Sequence, residues 1–239
     1  MRRAGAGALA ALALLLTGCE TTAEKSARLA KLARHQTSAQ TGLSIAHPNA
    51  AVELRSSAVL HDENGTAAVL TLRSRARAPL RNVPIAITVK DARGSTVYTN
   101  GTPGLSPSLV SVPLLLPGRD TVWIDDQIQV SGAASVSATA GQAQTVSGRP
   151  PELSPQTVHL FNDPANGVGA EGVLANHSAV PQRELVVFAI SAHAGHMVAA
   201  GRAVLPSVPT RGSVPFRVFF IGNPQGGALQ LSAPATSFP

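Results

Sequence analysis

Residues 85–91 read Ile-Ala-Ile-Thr-Val-Lys-Asp, and this stretch decides the fold class. Ile85, Ile87 and Val89 alternate with small or polar residues, and a period of two is typical of a β-strand with one buried face. Residues 91–94, Asp-Ala-Arg-Gly, then form a predicted turn. The stretch therefore predicts a strand that enters a hairpin.

The neighbouring segments carry the same signal. Residues 52–60 and 68–72 alternate in the same way, and residues 61–65, His-Asp-Glu-Asn-Gly, form a turn in which Asn-Gly favours positive φ angles. Further strands are predicted at 121–125 and 135–139. Aromatic residues are only 3% of the chain, so Val, Leu, Ile and Ala must build the core. We expect an all-β fold of short antiparallel strands.

This pattern repeats about one hundred residues later. Pro150 and Pro151 mark a stiff linker between the copies. Beyond them, residues 184–190 match residues 83–89 in the alternation of apolar positions. The sequence thus predicts two tandem immunoglobulin-like antiparallel β-sandwiches, at 49–148 and 149–239, each with about seven strands.

Short motifs in both copies resemble the FxLYD domain family. Residues 87–91 (Ile-Thr-Val-Lys-Asp) with Gly94, and residues 188–192 (Phe-Ala-Ile-Ser-Ala) with Gly195, are similar to its strand before a turn glycine. The first copy has Ile and Lys in place of the family's aromatic residue and Tyr, and the second has lost the Asp. Residues 172–176 (Gly-Val-Leu-Ala-Asn) resemble the family's first strand. The resemblance implies an immunoglobulin-like extracytoplasmic module without catalytic residues.

The N-terminus carries an export signal. Arg2 and Arg3 precede an uncharged apolar run at 4–16, which is too short for a permanent membrane span and predicts a signal peptide at 1–18. Residues 16–19, Leu-Thr-Gly-Cys, resemble the lipobox of bacterial lipoproteins. That resemblance implies cleavage before Cys19 and attachment of lipid to its sulfur, so the membrane is the first expected partner.

Residues 19–48 are predicted to be the lipidated N-terminus and a short, partly helical tether. Their helix formers leave only a narrow apolar stripe at Leu29 and Leu32, so a lone helix would be marginal. The alternative is a basic helix lying on anionic headgroups. We expect an extracytoplasmic, lipid-anchored protein. In a cell with two membranes, Glu20 favours the outer membrane because it replaces the retention aspartate of some lipoproteins.

Charge and cysteine content exclude several function classes. The net charge is +6, but each predicted sandwich carries only one basic residue more than acidic ones, and stacking aromatics are scarce. A nucleic-acid partner is therefore not expected. Cys19 is the single cysteine of the chain. Lipidation would leave no thiol for a disulfide, a thiolate zinc site or a cysteine nucleophile.

Four arginines are the first candidate binding residues. Arg73, Arg75 and Arg77 would lie on one side of a strand that runs through them, with Arg81 beyond a turn. A guanidinium stripe suits an anionic polymer or lipid, since each side chain offers a planar fork of donors. The plainer interpretation is that charges on an exposed edge strand discourage pairing with other chains.

Other polar residues favour ordinary structural roles. His193 and His196 are weak metal candidates, because they fall in a predicted hairpin turn and lack a third ligand nearby. Asp125 and Asp126 point to opposite faces of a strand and are interpreted as surface or turn residues. Trp123 is expected in the sandwich core or at its rim. No metal site or cofactor is predicted.

These observations predict a protein that is not an enzyme. We expect a membrane-anchored binding or scaffolding module for an envelope protein or an anionic envelope polymer. A structural spacer is one alternative. A metal-binding or hydrolytic envelope protein is another, because one sequence does not exclude a Ser-His-Asp site, although the chain has no Gly-x-Ser-x-Gly elbow.

Overall fold

The computed structural model describes residues 42–239, which form one compact unit. The predicted signal peptide, Cys19 and most of the predicted tether lie outside the described residues. The described chain is almost entirely β-structure, as the period-two pattern predicts, and every strand pairing is antiparallel. The prediction of an all-β fold with two tandem sandwiches is confirmed.

The first sandwich contains eight strands and one helical turn: β1 (Val52–Asp62), β2 (Gly65–Ser74), β3 (Leu80–Asp91), β4 (Thr96–Thr99), α1 (Pro107–Val110), β5 (Ser111–Leu115), β6 (Asp120–Ile128), β7 (Ala133–Ala140) and β8 (Gln144–Thr145). One sheet has the order β1-β2-β6. The facing sheet is built on β3, which pairs with β4, β5, β7 and β8.

The second sandwich begins after a linker and contains seven strands: β9 (Leu153–Asp163), β10 (Gly167–Asn176), β11 (Gln182–His193), β12 (His196–Val208), β13 (Ser213–Phe219), β14 (Ile221–Gly222) and β15 (Ala228–Ser232). Its outer sheet has the order β13-β10-β9. Its inner sheet has the order β14-β12-β11-β15 and faces the first sandwich.

The duplication is visible in the strands themselves. β1 and β9 have 11 residues each, β2 and β10 have 10, and β3 and β11 have 12. Asn82 and Glu184, each the third residue of its strand, have φ angles of 49° and 47°. This match pairs Glu184 with Asn82, so the sequence alignment of residues 184–190 with 83–89 is wrong by one residue.

The core of the first sandwich is filled by the alternating residues that the sequence pattern selects. Ile85 and Val89 are fully buried and Ile87 is nearly so. Trp123 is also fully buried, and its Nε1 donates to the carbonyl oxygens of Ser108 and Ser111 at 3.1 and 3.2 Å. The prediction of a core position for Trp123 is confirmed.

The two sandwiches share a buried core. In β11, Leu185, Val187 and Ala189 pack inside the second sandwich. The alternate residues of this strand, Val186 and Phe188, pack with the core of the first sandwich, as does Ile190. Because both faces of β11 are buried, the two sandwiches share an interface, and a cut at Gly148 is not expected to leave two independently folded pieces.

Candidate functional site

The four candidate arginines do not lie on one strand. β2 ends at Ser74, so Arg73 belongs to the strand, whereas Arg75 and Arg77 lie in the loop that follows. Arg81 lies in β3, in the facing sheet. The condition for a single arginine stripe, a strand that runs through all three residues, is therefore not met.

Two of these arginines are already paired with carboxylates. Arg73 makes a bidentate ion pair with Asp120, with N–O distances of 2.6 and 2.8 Å. Arg75 lies 2.6 Å from Glu53, which also accepts from Arg55 at 2.9 Å. Hydrogen bonds from these guanidinium groups hold the pKa of both carboxyls below its usual range.

Arg81 donates to the side-chain oxygen of Gln144 at 3.0 and 2.7 Å, across the β3–β8 pairing. Arg73 and Arg81 thus bond partners on neighbouring strands. β2 and β3 are central strands of their sheets, so the interpretation of these arginines as charges on an exposed edge strand does not hold for Arg73 and Arg81. Because these guanidinium groups already bond internal partners, fewer of their donors are available to an external anion than the sequence suggests.

His193 and His196 lie where the sequence predicts them, on either side of the β11–β12 turn. Ala194 and Gly195 form this turn with positive φ angles. The Nδ1 atom of His193 lies 3.0 Å from the carbonyl oxygen of Gly226. Within residues 42–239, no group of three or more His, Cys, Asp or Glu side chains is placed to hold a metal ion.

Asp125 and Asp126 point to opposite faces of β6, as predicted, but the prediction of surface positions is wrong. Asp125 is fully buried and accepts a hydrogen bond from the Tyr98 hydroxyl at 2.8 Å. The Asp126 side chain is 16% exposed and faces Arg202 of the second sandwich. Burial raises the pKa of Asp125, and it raises the pKa of Asp126 to about 6.

Arg202 ties the two sandwiches together through a polar contact inside their apolar interface. Its backbone N–H donates to Asp126 at 3.0 Å, and its guanidinium donates to the backbone oxygen and hydroxyl of Ser108 at 3.2 and 3.1 Å. The Arg202 side chain is 3% exposed, and burial lowers its pKa. A single charged residue among the small residues at 199–203 was the sequence signal for this site.

The outer sheet of the second sandwich carries a different polar group, which the sequence analysis missed. His159, Glu171 and Arg217 occupy adjacent strands in one cross-strand row. Glu171 lies 2.9 Å from His159 Nε2 and accepts from Arg217 Nε at 2.7 Å. The row could not be found from the sequence because its members lie on three separate strands.

A shallow trough of about 540 Å³ runs beside this row. Its apolar wall is the next cross-strand row of the same sheet, where Val173 pairs with Pro215. Thr157, also in the lining, has a φ angle of 49° at an irregularity in the β9–β10 pairing. Bulges of this kind redirect side chains and occur often beside binding sites. The trough combines charged donors, a carboxylate and an apolar wall.

An aromatic row supports the polar one. The ring of Phe161 covers Gly169, where a Cβ atom would lie 2.5 Å from the ring. Phe161 meets Phe219 edge to face, with centroids 5.5 Å apart, and the guanidinium carbon of Arg217 lies 5.1 Å from the Phe161 centroid. These contacts hold Arg217 in place beside the trough.

Comparisons with known proteins do not assign this chain to a family. No family model matches it, and no curated protein is detectably similar to it in sequence. The resemblances to the lipobox and to the FxLYD family therefore stay predictions. In the part of the chain that the structure describes, no helix has the length and apolar character needed to cross a membrane.

Proposed function

We propose that this protein is a membrane-anchored extracytoplasmic lipoprotein. The proposal rests on the N-terminal sequence: two arginines, an apolar run and a single cysteine directly after Gly18. Replacing Cys19 with Ser removes the sulfur that would carry the lipid. We expect this variant to be lost from the membrane fraction, because it is released or mislocalised. Unchanged membrane association would contradict the anchor.

The anchored part acts as a binding or scaffolding module, with the trough of the outer sheet as its contact surface for an envelope protein. The observation that carries this proposal is the ordered row of His159, Glu171 and Arg217 beside the apolar wall. Pockets that combine apolar surface with a few convergent polar groups are typical of binding sites. The shared core supports a rigid presentation of this surface.

Photo-crosslinking in intact cells tests the proposed surface. A photoreactive residue at Val173, inside the trough, should give a defined adduct with a partner protein. The same residue at Ser137, an exposed position of β7 in the first sandwich, is the matched control. Substituting Arg217 with Gln should reduce the adduct at position 173. Equal labelling from both positions, or none from position 173, would refute the trough as the contact surface.

A rigid spacer is the second candidate, and the burial of both faces of β11 favours it. A spacer would give no partner adduct at either position. The module is proposed not to be an enzyme. Metal analysis of the purified protein addresses the rival class, since stoichiometric zinc or copper that is lost on changing His193 and His196 would favour a metal-binding protein.

A further inference from the structure

A second depression lies at the junction of the two sandwiches. Three chain segments line it: residues 114–119, which include the end of β5 and the turn after it, the linker at 149–153, and the C-terminal segment at 233–235. Its volume is about 530 Å³, which falls inside the range of about 300–1,000 Å³ that is usual for small-molecule sites. We call it the junction cleft.

Most residues that line the junction cleft are apolar. Leu114 and Ala235 belong to a small buried cluster, with Leu116 and Leu153 packed against it, and all four residues line the cleft. The buried members of this cluster do not belong to the two main cores, and Leu153 also packs against the core of the second sandwich. A purely polar ligand would leave this surface uncovered, so the cleft selects for a ligand with an apolar part.

The rim of the cleft is basic. Arg119 and Arg149 line it and are exposed. Among the described lining residues, Glu152 is the one carboxylate, and it lies 3.5 Å from Arg149 with both side chains largely in solvent. An exposed pair of this kind is weak and easily rearranged. The lining therefore carries a net positive charge next to the apolar floor.

The loop that contains Arg77 lies beside the same rim. The N–H of Gly118 donates to the Ser74 oxygen at 2.8 Å, and the N–H of Val146 donates to the Pro79 oxygen at 2.9 Å. These two bonds hold both ends of the loop against segments that border the cleft.

We propose that the junction cleft binds a single-chain anionic amphiphile. Its alkyl chain would lie on the partly exposed residues Leu116, Pro151 and Leu153, and its carboxylate or phosphate head would meet Arg119 and Arg149. A guanidinium group matches either head in geometry, because it offers two parallel N–H donors. The inference does not depend on the lipid anchor or on the trough.

Calorimetric titration of monomeric dodecanoate into the full-length chain tests this site. The chain carries Cys19→Ser so that no attached lipid competes. We expect saturable binding of dodecanoate and of dodecyl phosphate, with acetate and dodecyltrimethylammonium giving none. The double variant Arg119→Gln, Arg149→Gln should bind dodecanoate about two- to tenfold more weakly, because two solvent-exposed ion pairs to the head group are lost.

Arg93→Gln is the matched control, since Arg93 is an exposed arginine in the turn after β3, outside the cleft lining. It should bind dodecanoate like the parent chain. Three results would overturn the proposal: no dodecanoate binding by the parent, equal binding by the double variant, or binding of the cationic amphiphile as well. Retention on anionic phospholipid vesicles without binding of monomeric dodecanoate would also overturn it, because the arginines would then act only as a surface charge.

Discussion

The backbone N–H of Arg202 donates to Asp126 at 3.0 Å and joins the two sandwiches. The guanidinium of Arg202 also lies 3.5 Å from the second oxygen of Asp126. This contact sits beside the apolar residues of β11 that pack with the first sandwich. The polar contact fixes the position of one sandwich on the other, because a shifted interface would leave both charges buried without partners.

The stability of the protein should depend on the protonation of Asp126. Its pKa in the folded chain is raised from 3.8 to about 6, chiefly by burial. The folded state therefore keeps this proton at pH values where the unfolded chain has already lost it. Between these two pKa values, the contribution of Asp126 to the free energy of unfolding should fall as pH rises, by up to ~3 kcal/mol.

Urea unfolding of the wild type and Asp126→Asn from pH 3.5 to 7 measures this effect. The stability of the wild type relative to the variant should fall with rising pH and level off above about pH 6. Asp163→Asn is the control. Asp163 is partly exposed, and its pKa is lowered chiefly by the hydrogen bond from the N–H of Ala165. Its contribution to the free energy of unfolding therefore has the opposite sign and is lost as pH falls. A pH-independent difference for Asp126→Asn would contradict the prediction.

Phe188→Ala should destabilise both sandwiches together. Phe188 is 1% exposed and lies in the core that the sandwiches share. Deleting a buried aromatic ring costs about 3–5 kcal/mol, and the shared core should transmit this loss to both halves. Trp123 fluorescence reports on the first sandwich and far-ultraviolet circular dichroism on the whole chain. Both signals should shift together in one transition.

Phe161→Ala is the matched control for this experiment, because Phe161 lies on the outer sheet and is only partly buried. Phe161→Ala should lower the free energy of unfolding by less than Phe188→Ala does. Two separate transitions in the wild type, or a loss in Phe188→Ala that leaves the Trp123 signal unchanged, would show that the sandwiches fold independently.

Gln182→Leu should release the C-terminal segment. Gln182 is fully buried, and its side-chain oxygen accepts from the N–H groups of Thr236 and Ser237 at 2.9 and 3.1 Å. The first residue of β3, Leu80, occupies the equivalent position of the first sandwich. The first sandwich thus buries a leucine at this position, whereas a leucine at position 182 cannot accept the two hydrogen bonds of the C-terminal segment.

Amide hydrogen exchange measures the release directly. In Gln182→Leu, exchange at residues 236 and 237 should accelerate, while exchange in β10 stays slow. Because residues 233–235 form a wall of the junction cleft, dodecanoate binding should also weaken. Arg183→Leu, at the exposed neighbouring position, should leave both measurements as in the parent chain. Unchanged exchange at 236 and 237 in Gln182→Leu would contradict the role of this side chain.

Gly169→Ala should disturb the aromatic row beside the trough. The added Cβ would fall 2.5 Å from the ring of Phe161, which must then move away from Arg217, and 2.8 Å from the backbone oxygen of Val218. Forcing extra volume into a packed site typically costs about 1–3 kcal/mol. In a double-mutant cycle, Gly169→Ala should cost less when Phe161 is already alanine. If the two substitutions lower the free energy of unfolding additively in urea, the placement of the Phe161 ring does not depend on Gly169.

Local sequence determined the strands and their duplication. The alternation of Ile85, Ile87 and Val89 requires only that one face of a strand be apolar, and this is a property of neighbouring residues. The turn at His193 and His196 was predictable for the same reason, since its signal lies within a few residues. Trp123 was predictable as a core residue because no other environment buries its large surface as well.

Only the tertiary structure decided how the two sandwiches meet. The face of β11 that carries Val186, Phe188 and Ile190 is apolar for a reason that the neighbouring sequence does not reveal. It packs against the first sandwich, which is formed much earlier in the chain. Asp126 and Arg202 are separated by 76 positions, and Asp126 looks like a surface carboxylate until that partner is in place. The row of His159, Glu171 and Arg217 exists only through strand register, which depends on long-range pairing. Sequence periodicity specifies which face of each strand is apolar, whereas the fold specifies what covers it.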